Sequence, residues 1–297
     1  MHAEAANVEY YESFSMLSPL PNQADLPFTV AAHETAHQWW GHQLMPAPVP
    51  GAGLLAEGLA VYSSMQIVEK TGGPEQLRKF IGLLHARTSD FPTSRAGVPL
   101  LWTENWFDAY RKGPFALYAM SQYIGEDKVT EALQHLFESY RSGAVTMPMA
   151  LDLYRELKAV TPDEMQSLAH DLFAANTWWD FDMKRATAKQ IAPGTWQVTL
   201  DVSTRKQLVD AAGAETPAKI DDLVEIGIFA PAEKGGASGG GSEVAIYQQK
   251  HRITSADQTI TVTVPRKPTL AGVDPRQLLT RPDRHRETQL SEVKVEG

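Results

Sequence analysis

The chain has 297 residues, 43% of them hydrophobic and 21% charged, with a formal net charge of −9 and no cysteine. That length allows two globular domains, each with its own core. An acidic balance without a long basic run argues against a nucleic-acid partner. The lack of cysteine excludes disulfides, thiolate zinc sites and thiol nucleophiles, so a bound metal would rest on histidine and carboxylate.

Met1-His2-Ala3-Glu4 is not followed by an apolar signal-peptide core. No apolar run reaches the eighteen or so residues that span a bilayer, so the chain as given reads as soluble. The first stretch with a pattern is "VEYYESF", residues 8–14, whose alternation suits an edge strand. It offers Glu12, with Glu9 on a face of different parity as a competitor.

Phe28 to Gln43 reads as a helix and contains "VAAHETAHQWWGHQ". Positions i and i+4 share a helix face, so His33 and His37 can present two imidazoles to one ion. Glu34 projects nearby on a rotated radius. This is the mechanical logic of His-Glu-x-x-His: two ligands, and a carboxylate placed to take a proton from water at the metal. The bland reading is an amphipathic helix with a polar face. A catalytic zinc site also wants a third protein ligand and an open position. Leu54 to Lys70 forms the next helix, and its "LLAEGLAVYSS" supplies Glu57 among leucines. A carboxylate in that setting suits a metal better than a simple surface role. Trp39 and Trp40 read as packing beside the site.

Thr71-Gly72-Gly73 ends that helix, and Pro74 opens "PEQLRKFIGLLHARTS". "GPFALYAMSQYIG", "DKVTEALQHLFESYRSG", "MPMALDLYRELKAV" and "TPDEMQSLAHDLFAAN" continue as helices, the last with Thr161 as its cap. After Trp178-Trp179 the period changes from 3.6 to 2. "TWQVTLDVS", "LVEIGIFA", "EVAIYQQKHRI" and "QTITVTV" read as strands, and residues 235–242 as a glycine-serine hairpin loop. A polar tail closes the chain. His85, His135, His170, His251 and His285 have no partner pattern.

"HETAHQWWGHQ…LLAEGLAVY" resembles the zinc signature of the aminopeptidase-N-type gluzincin metallopeptidases. That family usually has eighteen residues between the second histidine and the glutamate; here there are nineteen between His37 and Glu57. The proline-rich "MPAPVPGAG" is a natural place for an extra residue. "YRKG" at Tyr110 to Gly113 resembles the family's Tyr-x-Lys-Gly segment, whose tyrosine stabilises the oxyanion. "VEYYESF" occupies the place of the family's Gly-x-Met-Glu-Asn strand but lacks its glycine, methionine and asparagine. Glu12 would there bind the substrate's α-amine.

The spacing and "KHRIT…QTITVTVPRKPTLAGVDPRQLL" are similar to the branch of this family fused to ABC-transporter-type permeases. That resemblance implies an α+β fold: a mainly helical, thermolysin-like catalytic domain over residues 1–178, with its front β-lobe largely missing, then a small antiparallel β-sandwich with an extended tail over 179–297. It implies that the chain is the C-terminal part of a parent embedded in the inner or plasma membrane through a permease region. It also implies peptide hydrolysis with Zn2+ held by His33, His37 and Glu57, Glu34 as general base, Tyr110 on the oxyanion and a peptide as substrate. With only 32 residues before His33, the isolated chain is expected to lack part of the substrate lobe. Two alternatives stand beside this reading. One is a non-hydrolytic, metal-containing peptide-binding or scaffold domain of a transporter. The other is a structural metal staple with His42 as fourth ligand.

Overall fold

The computed structural model describes residues 26–86, 95–105, 107–141, 146–232, 243–279 and 290–296. Glu9, Glu12, the glycine-serine stretch and His285 lie outside these residues. The chain divides into two compact units, one of residues 1–176 with 210–213, the other of 177–209 with 214–297.

The first unit is helical. Helix α1 (Leu26–Ala36) is followed by a π turn (Leu54–Gly58) that runs into α2 (Leu59–Ala86). A second π turn (Asp108–Lys112) runs into α3 (Gly113–Ile124), and α4 (Glu126–Tyr140) and α5 (Ala150–Val160) follow. A 3-10 turn (Asp163–Met165), a short helix α6 (Gln166–Ala169) and a third π turn (His170–Ala174) end the unit. Helix α4 buries Val129, Ala132, Leu133 and Leu136, with Phe137 and Tyr140 half-buried. Against it packs α5, which buries Leu153 and Leu157. The break expected at Gly72-Gly73 is present: Gly73 leaves the helical region at φ 77°, where glycine carries no Cβ penalty, and Pro74 restarts the helix.

Two expectations are corrected. The zinc-motif helix stops at Ala36 and not at Gln43, because Gly41 takes φ 94° and the chain doubles back. The Gly41 N–H donates to the Leu44 carbonyl across this turn, and the Leu44 N–H donates to the Trp39 carbonyl. Thr161 does not cap the segment that follows; it is the C-cap of the preceding helix α5, where its hydroxyl donates to the Leu157 carbonyl at 2.6 Å.

The second unit holds two sheets. In one, β2 (Thr195–Val209) pairs along one side with β1 (Thr177–Ala192) and along the other with β3 (Glu215–Pro217) and β6 (Asp257–Val264). In the other, β4 (Asp222–Pro231) lies between β5 (Glu243–Ile253) and β7 (Leu270–Val273), and β8 (Ser291–Glu292) extends β7. Alternate residues fill the core, Val198, Leu200 and Val202 from β2 and Val224, Ile226 and Ile228 from β4. The molecule is thus α+β, helical first and sheet-rich after. Among the described residues the strand pairings of these sheets are antiparallel but for β9 (Lys294–Val295), which lies parallel to β1. No helix among the described residues is long and apolar enough to cross a membrane.

Candidate metal centre

His33 sits near the end of α1, and His37 one residue beyond it. The His37 N–H still bonds the His33 carbonyl at 3.3 Å, so the two imidazoles stay one helical turn apart. Glu57 reaches them from the first π turn. Such a turn holds one residue more than an α turn, which gives the nineteen-residue spacing a place to be absorbed next to the carboxylate itself.

Three atoms converge. His33 Nε2 and His37 Nε2 are 3.1 Å apart, and Glu57 Oε2 is 3.3 Å from each. Tetrahedral zinc with bonds of about 2.0–2.2 Å spaces neighbouring ligand atoms by about 3.3–3.5 Å, so this triangle has the edge lengths of a coordination face. Glu57 Oε2 is buried and accepts no aligned hydrogen bond. A proton on one imidazole could serve only one of these contacts, whereas a divalent cation satisfies all three. The donor set therefore fits zinc. Among the described residues this is the one group of three or more metal-capable side chains.

The surroundings favour the ligand forms. His37 Nδ1 lies 3.0 Å from the Trp40 carbonyl. A carbonyl can only accept, so Nδ1 carries the proton and Nε2 is left with its lone pair toward the cluster. Burial works against the charge on Glu57. His33, His37 and the Tyr110 hydroxyl, all facing the carboxylate, more than offset this and hold its pKa well below the usual carboxylate range. Burial likewise works against a charged His37, but Glu57 and the Trp40 carbonyl raise its pKa overall. Glu34 is half-buried, and its charge is felt at His37.

Tyr110 is the middle residue of the second π turn. Its ring lies 5.9 Å from that of His33, and its hydroxyl reaches Glu57. The two π turns touch through glycines: a Cβ placed on Gly113 would stand 3.7 Å from Gly58 Cα and 2.7 Å from Leu54 Cδ1. Only bare backbone at Gly58 and Gly113 lets the turns approach this closely.

Other expected residues fall elsewhere. His42 is exposed and outside the ligand cluster, its ring 6.4 Å from that of His37. Trp40 packs edge-on against Phe137 and donates to Ser63 Oγ at 2.9 Å, but Trp39 is 46% exposed and not core. His135 and His251 make their own contacts, with Glu156 and Tyr247. A cleft of about 840 Å³ runs along another face of α1, lined by Phe28, Ala31, Thr35, Trp39, Tyr62 and Phe137, and the ligand atoms do not line it.

Sequence reasoning misses a set of buried polar residues around Tyr110. Thr103 Oγ1 donates to Asp108 Oδ2 at 2.6 Å, and Lys112 Nζ donates to Asn176 Oδ1 at 3.0 Å. The one signal available is Asp108 and Lys112 at i and i+4, on either side of the tyrosine.

Residues 21–173 match the family described as Peptidase family M1 domain. No curated protein matches the chain. Among solved structures, the chain is similar to an M1 zinc metallopeptidase from Deinococcus radiodurans, a glutamate-to-alanine mutant bound to a Tyr-Ser-Ala substrate. The match has 25% sequence identity and a TM-score of 0.39, over 49% of this chain and 32% of that one. The chain thus spans about a third of that protein's length.

Proposed function

The chain belongs to the peptidase M1 family, and from that premise we propose that it hydrolyses peptide bonds as a zinc-dependent, aminopeptidase-like enzyme. The observation that carries this reading is the convergence of His33, His37 and Glu57, with Tyr110 beside them, inside the matched segment. The two imidazoles and the carboxylate hold the ion. When bound, zinc supplies a Lewis acid that acidifies water and polarises the scissile carbonyl. Glu34 accepts the proton as the water oxygen attacks the carbonyl carbon, and delivers it to the amine as the C–N bond breaks. The Tyr110 hydroxyl donates to the oxygen on which negative charge develops; a neutral phenol strengthens that bond as charge grows. Glu12 binds the free α-amine of the substrate, which restricts cleavage to the first residue.

The nineteen-residue spacing and the segment 245–280 support a place in the branch fused to ABC-transporter-type permeases, with a membrane-embedded parent. Two assays on the full-length protein test the activity. Chelation should abolish hydrolysis of aminoacyl amides, and added zinc should restore it. N-acetylation of a peptide should block its cleavage; equal cleavage of both forms would rule out the aminopeptidase assignment while leaving the hydrolase intact.

A further inference from the structure

Resting on the hydrolase reading above, we propose that Asp108 and Lys112 are positioning residues that clamp the π turn carrying Tyr110. They are the first and last residues of that turn, with Tyr110 at its middle. Lys112 Nζ lies 3.4 Å from Asp108 Oδ1, which closes the turn across its span. Each end is also tied outward. Asp108 Oδ2 accepts from Thr103 Oγ1 at 2.6 Å, and that same Oγ1 accepts from the Asn105 N–H at 3.1 Å. Lys112 donates to Asn176 Oδ1 at 3.0 Å, and Asn176 Nδ2 donates to the Arg95 carbonyl at 3.0 Å.

The pair is buried, with side-chain exposures of 11% for Asp108 and 8% for Lys112. A buried ion pair contributes little net stability over an apolar pair of the same size, because both charges lose water. Its value here is geometric. A π turn is rare and is frequently found at functional sites. This one is held from two sides: the polar clamp along its ends, and the glycine contact with the turn that carries Glu57. The result is a tyrosine hydroxyl fixed beside the ligand carboxylate. Displacing such a donor by about 1 Å is enough to cost roughly 100-fold in rate.

The test uses Lys112→Met and the double variant Asp108→Asn/Lys112→Met in the full-length protein. The double variant removes both charges, so it avoids leaving one buried and unpaired. Each is made with and without Tyr110→Phe. Zinc content should stay at the wild-type level, kcat should fall about 10- to 100-fold with KM within about 2-fold, and the loss should vanish in the Tyr110→Phe background. Crystal structures of the variants should show the Tyr110 hydroxyl displaced from Glu57, with His33 and His37 unmoved. A kcat loss of equal size in the Tyr110→Phe background, or a Tyr110 hydroxyl that keeps its place in both variants, would overturn the proposal. If the wild-type protein cleaves no peptide, the hydrolase reading fails by itself, and the position of Tyr110 in the variant crystals still decides the clamp.

Discussion

His37 Nδ1 donates to the Trp40 carbonyl at 3.0 Å, and that bond depends on the residue that follows Trp40. Gly41, at φ 94°, shares the peptide unit of that carbonyl. A side chain at this φ costs about 1–2 kcal/mol, while the Cβ itself would meet His37 Nδ1 only at ordinary contact distance, 3.6 Å. The easiest relief is rotation of the 40–41 peptide, which breaks the bond that fixes the tautomer. Gly41→Val should therefore weaken zinc binding by about 10- to 100-fold, the usual scale for loss of an outer partner of a ligand histidine. Competition against a chromogenic chelator measures it. Unchanged affinity would mean that the carbonyl does not orient His37.

The contact between the two π turns should be sensitive to a single methyl group. Leu54 is fully buried, so its Cδ1 has no room to retreat from a Cβ on Gly113 at 2.7 Å or on Gly58 at 2.9 Å. Overpacking of this kind costs about 1–3 kcal/mol. Gly113→Ala should lower the stability of the chain by that amount in denaturant titrations and should also separate Tyr110 from Glu57. Gly82 is the control, since nothing stands within 4 Å of its Cβ position. Gly82→Ala should stabilise slightly.

In the sheet-rich unit, Lys206 Nζ and Asp222 Oδ1 are paired at 2.8 Å with both side chains 7% exposed, and the ammonium lies over the Trp179 ring. Removing one partner leaves a buried charge. Lys206→Met should destabilise by about 3–5 kcal/mol, and Lys206→Met/Asp222→Leu should recover most of that loss. Thermal or chemical unfolding of the three chains checks it. Additive losses would show that the two groups do not act as a pair.

What can be read from the chain and what cannot follows from range. His33 and His37 are one helical turn apart, and Glu57 lies in the next helix, so their convergence needs only local geometry and one helix pairing. Gly73 and Pro74 likewise announce their own break. The early end of α1 is hidden because "HQWWGHQ" continues a helical pattern until Gly41, whose positive φ appears only in three dimensions. Strand β1 is obscured for a different reason. Its "DFDMKRATAK" carries charges on an exposed face and a register shift between Met183 and Arg185, which blurs the period of two. The polar set around Tyr110 joins residues 64 and 81 positions apart, at Lys112–Asn176 and Arg95–Asn176, and no short-range pattern reports such contacts. The parallel β1–β9 pairing is equally remote.

The measurement that bears most directly on the central claim compares the full-length wild-type protein with Glu34→Gln for zinc content and for hydrolysis of aminoacyl amides. The amide introduced by this substitution is nearly the same size as the carboxylate it replaces but cannot take a proton from water. The account predicts one zinc per chain in both proteins and a fall in turnover of about 100- to 10,000-fold in the variant, the range for loss of a general base. Near-wild-type turnover in a fully zinc-loaded Glu34→Gln protein would contradict it.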